Sequence, residues 1–123
     1  MSFTIAIRET PYAVILDVSG CVTFAGARTD LRDAIRDAVA GGQKNILLNL
    51  ADVTYIDSSG LGQLVGGYAT VRNNGGQIKL LNLNDEVYDL MQRARLLSVF
   101  NIYRSEHEAI RSFVAKTGGA GPG

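Results

Sequence analysis

The chain has 123 residues, 46% hydrophobic and 20% charged, with Lys+Arg 12 balanced by Asp+Glu 12. That length suits one domain able to bury roughly two-thirds of its unfolded surface, and the zero formal charge removes the electrostatic case for a dedicated nucleic-acid binder. One cysteine, Cys21, excludes an intramolecular disulfide, and with one histidine, His107, it cannot build a zinc site of the usual His/Cys type.

Phe3, Ile5 and Ile7 alternate with Thr4, Ala6 and Arg8, the period of a strand with one buried face. Thr10-Pro11-Tyr12 breaks the run, and Pro11, lacking an N–H, suits a hairpin turn. Ala13–Val18 is more uniformly apolar, as in a strand covered on both faces, and Ser19-Gly20 ends it. Gly26–Gly41 reads as a helix, because Leu31, Ala34, Ile35, Ala38 and Val39 form one stripe. Arg28, Asp30, Arg32, Asp33, Arg36 and Asp37 lie mostly off that stripe, as a solvated face or a docking face for a partner. Gly41-Gly42 stops the helix.

Asn45–Leu50 is a short apolar run typical of a central strand, so the preceding helix is a crossover between strands. Residues 51–62 connect to a second helix, whose Leu61, Leu64, Val65, Tyr68 and Val71 share a face as far as about Arg72. Ile78–Leu83 is the next strand, and Asn84 or Asp85 caps a third helix carrying Val87, Leu90, Met91 and Ala94. A short strand follows near Phe100–Tyr103. Ser105 with Glu108 fits a capping box for a last helix containing Ile110, Phe113 and Val114. Beyond Lys116 the glycines cannot bury apolar surface, which predicts a domain over residues 1–116 and a flexible tail over 117–123. The order β-β-α-β-α-β-α-β-α predicts an α/β fold, a mixed sheet with about four flanking helices. No apolar run reaches the roughly 20 residues of a bilayer span, and no leader pattern opens the chain, so a cytoplasmic domain without membrane contact is expected.

The informative segment is Asp57-Ser58-Ser59-Gly60-Leu61-Gly62, where a buried strand hands over to a helix. Ser and Asp side chains accept hydrogen bonds from the unpaired N–H groups of a first helical turn. Gly60 and Gly62 remove side chains where something can approach the backbone, and the helix start favours an anion such as phosphate. From the residues alone this is either a plain helix cap or a candidate phospho-site.

That motif, preceded by Leu48-Asn49-Leu50-Ala51-Asp52-Val53-Thr54-Tyr55-Ile56, resembles the signature of the STAS domain, most of all the stand-alone bacterial anti-sigma factor antagonists. Asn74-Gly75-Gly76 before the strand Ile78–Leu83, and Ala94-Arg95-Leu96-Leu97 before Phe100, are similar too, so the resemblance covers about Phe3 to Val114. It implies a STAS-type mixed sheet with helices packed mainly on one side. It implies that Ser58 is phosphorylated by an ATP-dependent anti-sigma factor kinase, that the unmodified domain binds that kinase and frees its sigma factor, and that a phosphatase resets the cycle. The chain is then substrate and ligand, not enzyme, with no cofactor and no metal. The implied partner surface comprises Asp57, Ser59, Gly60, Leu61 and Gly62 with Thr23 and Phe24; Leu61 also reads as core.

One departure stands out. Many phosphorylatable antagonists carry Gly-Glu-Leu-Asp after the second strand, where this chain has Gly20-Cys21-Val22-Thr23. Loss of both acids favours an alternative, a non-switching STAS scaffold inside a larger sensory assembly. A nucleotide- or small-ligand-binding module would rest on the helix start alone. A hydrolase elbow fails, because Ile56 and Asp57 stand where its first glycine is needed, and His107 sits in a polar helix start. Val65 breaks the dinucleotide fingerprint. Cys21, without basic neighbours, reads as a small strand-end residue and not a redox centre. Oligomeric state is not legible.

Overall fold

Strands β1 (Phe3–Glu9) and β2 (Val14–Val22) form the hairpin that opens the chain, in regular antiparallel register from Phe3 opposite Gly20 to Glu9 opposite Val14. The turn is built as its residues dictate: the Thr10 N–H donates to the Ala13 carbonyl at 3.0 Å, and the Thr10 hydroxyl oxygen accepts the Tyr12 and Ala13 N–H groups. The computed structural model describes residues 3–22 and 31–118. In it the hairpin is followed by α1 (Leu31–Ala40), β3 (Asn45–Ile56), α2 (Ser58–Asn73), β4 (Gln77–Leu81), α3 (Asp85–Arg93), β5 (Asn101–Tyr103) and α4 (Glu106–Gly118). Sheet order is β1-β2-β3-β4-β5, with every pair after the first parallel.

The mixed α/β architecture is the expected one, and its layers are unequal. Val14, Leu16, Ile46, Leu48, Ile78 and Leu80 point to the face covered by α1, α2 and α3, where Ile35, Leu64, Val87 and Met91 complete the main core. Ile15, Leu47 and Leu81 point to the other face, where α4 supplies Ala109 and Phe113. Three helices on one side and one on the other follow from continuous apolar runs in β2, β3 and β4, which demand cover on both faces.

Several boundaries differ from the sequence expectation. Gly20 does not end β2; it takes φ 98° inside a strand that runs on to Val22. Residues 51–56 are not a connection but the second half of β3. Asp17 pairs with Asn49 but Ser19 with Asp52, and Gly20 pairs with Val53 but Cys21 with Tyr55. Each shift inserts an extra residue into β3, as a β-bulge does. Leu50, Val53 and Ile56 therefore all face the main core at a spacing of three, where an unbroken strand would use a spacing of two. The last helix continues through Lys116 to Gly118, past the expected start of the tail. The expected first turn of α1 over residues 26–30 lies outside the described residues. Among the described residues, no helix is long and apolar enough to cross a membrane.

Candidate functional site

β2 and β3 outlast β4 at their C-terminal ends, and α2 starts directly from the tip of β3. Asp57 is the hinge residue, extended at φ −110° and ψ −172°, and acts as the N-cap of α2. Its Oδ1 accepts the Gly60 N–H at 2.9 Å and the Ser59 hydroxyl at 2.8 Å. Its main-chain carbonyl accepts the Leu61 N–H at 2.9 Å, and its own N–H reaches the Val22 carbonyl at 3.4 Å. These bonds stabilise the carboxylate form. The Gly60 N–H first, then the Ser59 hydroxyl, hold the Asp57 carboxyl below the usual carboxylate range.

Ser58 is exposed, and among the described residues its hydroxyl has no hydrogen-bond partner. The two serines are therefore not equivalent: Ser59 is committed to the cap, and Ser58 presents a free hydroxyl on the first helical residue. Gly60 faces inward, and a side chain there would collide with the Val22 carbonyl oxygen and lie 2.7 Å from Ile56 Cγ1. Gly62 is open, with nothing within 4 Å of an added Cβ.

Burial divides the residues of the expected partner surface. Leu61 is 8% exposed and belongs to the main core, and Gly60 is buried, so both shape the loop from beneath. Asp57 is half-buried, while Ser58, Ser59 and Gly62 are exposed. Thr23 and Phe24 lie outside the described residues. Cys21 is half-buried with its Sγ 3.7 Å from Thr54 Oγ1. His107 is exposed on α4, beneath the opposite face of the sheet.

Two features were not anticipated. The first is an open groove of about 610 Å³ between the tip of β3 and α3. Tyr55, Asp57 and Ser58 form one wall, and Glu86, Asp89 and Arg93 form the other. The signal was present in the sequence, since residues three and four apart share a helix face. The second is Gln63, buried on α2, whose Oε1 accepts the Leu31 N–H at 2.9 Å and so fixes the described start of α1 to the helix that carries Ser58.

Comparison with known proteins agrees with this geometry. The family model described as the STAS domain matches residues 4–109. The anti-sigma F factor antagonist of Paenibacillus polymyxa is 31% identical over 67 residues, 54% of this chain and 57% of that protein, so the matched segment spans little more than half of that relative. The anti-sigma-B factor antagonist of Bacillus subtilis is 26% identical over 102 residues, 83% of this chain and 92% of that protein. Among solved structures, the anti-sigma factor antagonist SpoIIAA in its unphosphorylated form superposes with a TM-score of 0.73 at 22% identity, covering 94% of this chain and 97% of that one. The phosphorylated form of the same Bacillus cell fate determinant gives 0.69, covering 89% of this chain and 98% of that one. With its strand order, its capped loop and a family match over residues 4–109, the chain belongs to the STAS domain family.

Proposed function

We propose that this protein is an anti-sigma factor antagonist switched off by phosphorylation of Ser58. The observation that carries the reading is the inequality of the two serines, one hydroxyl spent on the Asp57 cap and the other free and exposed. The names of the relatives and the existence of a phosphorylated structural neighbour support it.

In the unmodified state the loop meets an anti-sigma factor, which then releases its sigma factor. The partner is also a serine kinase holding ATP. The Ser58 oxygen attacks the γ-phosphorus, the bond from that phosphorus to the bridging oxygen breaks, ADP leaves, and the hydroxyl proton passes to a base on the partner. Catalysis belongs to the partner, because the loop carries no lysine, arginine or metal cluster of the kind phosphoryl transfer uses. The product carries roughly −1.5 to −2 charges beside Asp57. A partner that buried the loop would have to desolvate that charge, so the complex separates. A phosphatase then hydrolyses the ester with water and restores the hydroxyl. These reactions place the protein in the cytoplasm, where ATP and sigma factors are found.

The test is phosphopeptide mass spectrometry of the protein isolated from its own cells, with and without phosphatase treatment. A single phosphate on Ser58, varying with growth condition, is the expected result. Phosphate on Ser59 instead, or none under any condition while the protein remains in a complex, would overturn the switch in favour of a constitutive scaffold.

A further inference from the structure

Among the described residues, one cation lines the groove beside Ser58. Arg93, in the last turn of α3, is exposed, and among the described residues it makes no hydrogen bond or ion pair. Asp89 stands one helical turn before it, and no ion pair forms between them. A guanidinium with its five donors unspent shares a groove with a hydroxyl that has no partner.

We propose that Arg93 is the intrachain receptor for a phosphate on Ser58, so that phosphorylation clamps α3 to the start of α2 across the groove. The inference rests on Ser58 being the modified residue. Planar guanidinium donors match phosphate oxygens in pairs, which makes this one of the stronger charge-assisted contacts open to an exposed group. Among the described residues, every other charged group lining the groove opposes the clamp: Asp57 from its own wall, and Glu86 and Asp89 from α3, with Tyr55 the remaining titratable neighbour. Asp57 is fixed beside Ser58 by the Gly60 N–H and the Ser59 hydroxyl, so Arg93 has to outweigh its charge. Glu86 and Asp89 are exposed and free to turn outward, while Arg93 gains two bonds by turning in. The clamp would close the groove, so that a partner meets one continuous surface in place of an open cleft.

The experiment uses the full chain with phosphoserine installed at position 58 during translation, so that no kinase is needed and failure of the switching model is separable from failure of the clamp. The probe is the ³¹P resonance of that phosphate titrated between pH 4 and 8, in the parent and in Arg93→Gln and Arg93→Lys. Free phosphoserine titrates near 6. A clamp predicts a lower midpoint in the parent, a rise of about half a unit or more in Arg93→Gln, and an intermediate value in Arg93→Lys. An unchanged midpoint in Arg93→Gln overturns the proposal. So does a parent midpoint above that of the free amino acid, because the three carboxylates would then dominate the groove. Arg93 is exposed, and equal thermal melting of the unmodified parent and variants confirms that the fold is intact.

Discussion

The carbonyl oxygen of Val22, the last residue of β2, occupies the space that any side chain on Gly60 would need. The same carbonyl accepts the Asp57 N–H. The tip of β2 thus presses on the first turn of α2 from below and holds the cap from the side. Both contacts set where Ser58 stands.

Gly60 and Gly62 look alike in the sequence, and the structure separates them. Gly60→Ala must displace either the strand tip or the helix start, at a cost of about 1–3 kcal/mol as for other overpacked sites. Gly62→Ala meets nothing within 4 Å and exchanges a poor helix former for the best, a gain of up to about 1 kcal/mol. Urea unfolding of the two variants checks the contrast. Equal effects of the same sign would mean that the close approach to Val22 does not constrain the loop.

Asp57 makes a prediction about acid. Its folded-state pKa is depressed, chiefly by the Gly60 N–H. The stabilisation is therefore complete above the unfolded value of about 3.9 and is lost as pH falls through the lower folded value. Asp57→Asn keeps an N-cap acceptor but has no proton to gain, so its stability should fall less than that of the parent between pH 5 and pH 2.5. Asp17, depressed by its hydrogen bond from Arg8, contributes in the same window and remains in both proteins. Asp57→Ala should cost about 1 kcal/mol at neutral pH, the usual consequence of removing a cap. Thermal melts across that pH range measure both effects.

The order of elements and the cap of α2 were legible because each is written locally. Asn84 capping α3 through the Val87 N–H at 2.8 Å, and Ser105 accepting the Glu108 N–H at 3.3 Å, are local signals of the same kind. The second half of β3 was not legible, because bulges moved Leu50, Val53 and Ile56 to a spacing of three and left no alternation to find. Gly20 read as punctuation for a related reason: a positive-φ glycine ends some strands and only bends others. At the site, the free serine and the tied one are adjacent in sequence, and only the direction of the Ser59 hydroxyl tells them apart. The shared helix face of Glu86, Asp89 and Arg93 was readable in α3, but nothing local says which element that face meets, because the facing loop lies about thirty positions away along the chain.

Gln63 carries a prediction that apolar patterning would miss. It lies in α2 among core residues, and its Oε1 serves the buried Leu31 N–H. Gln63→Leu keeps a buried side chain of similar size but leaves that donor without this acceptor, which costs about 1–3 kcal/mol. Amide exchange at Leu31 should accelerate well beyond any change at Val71, at the far end of the same helix. Uniform acceleration across α2 would point instead to a general loss of packing.

The switch itself predicts opposite behaviour from two substitutions at one position. Ser58 contributes no side-chain hydrogen bond among the described residues and is exposed, so Ser58→Ala should change folding stability by no more than about 0.5 kcal/mol. It should still bind the anti-sigma factor and should no longer be released when ATP is added. Ser58→Asp places a permanent charge beside Asp57 and should bind the same partner at least tenfold more weakly, with or without ATP. Ser59→Ala supplies the control. It removes a hydroxyl bonded to the cap, costs about 0.5–1 kcal/mol of stability, and leaves a phosphoacceptor at Ser58, so ATP-dependent release should persist. Release measured by size-exclusion chromatography or surface plasmon resonance, with each variant scored with and without ATP, distinguishes the two serines. Loss of release in Ser59→Ala with retention in Ser58→Ala would transfer the phosphoacceptor role to Ser59, and the free hydroxyl at the start of α2 would then have no part in the switch.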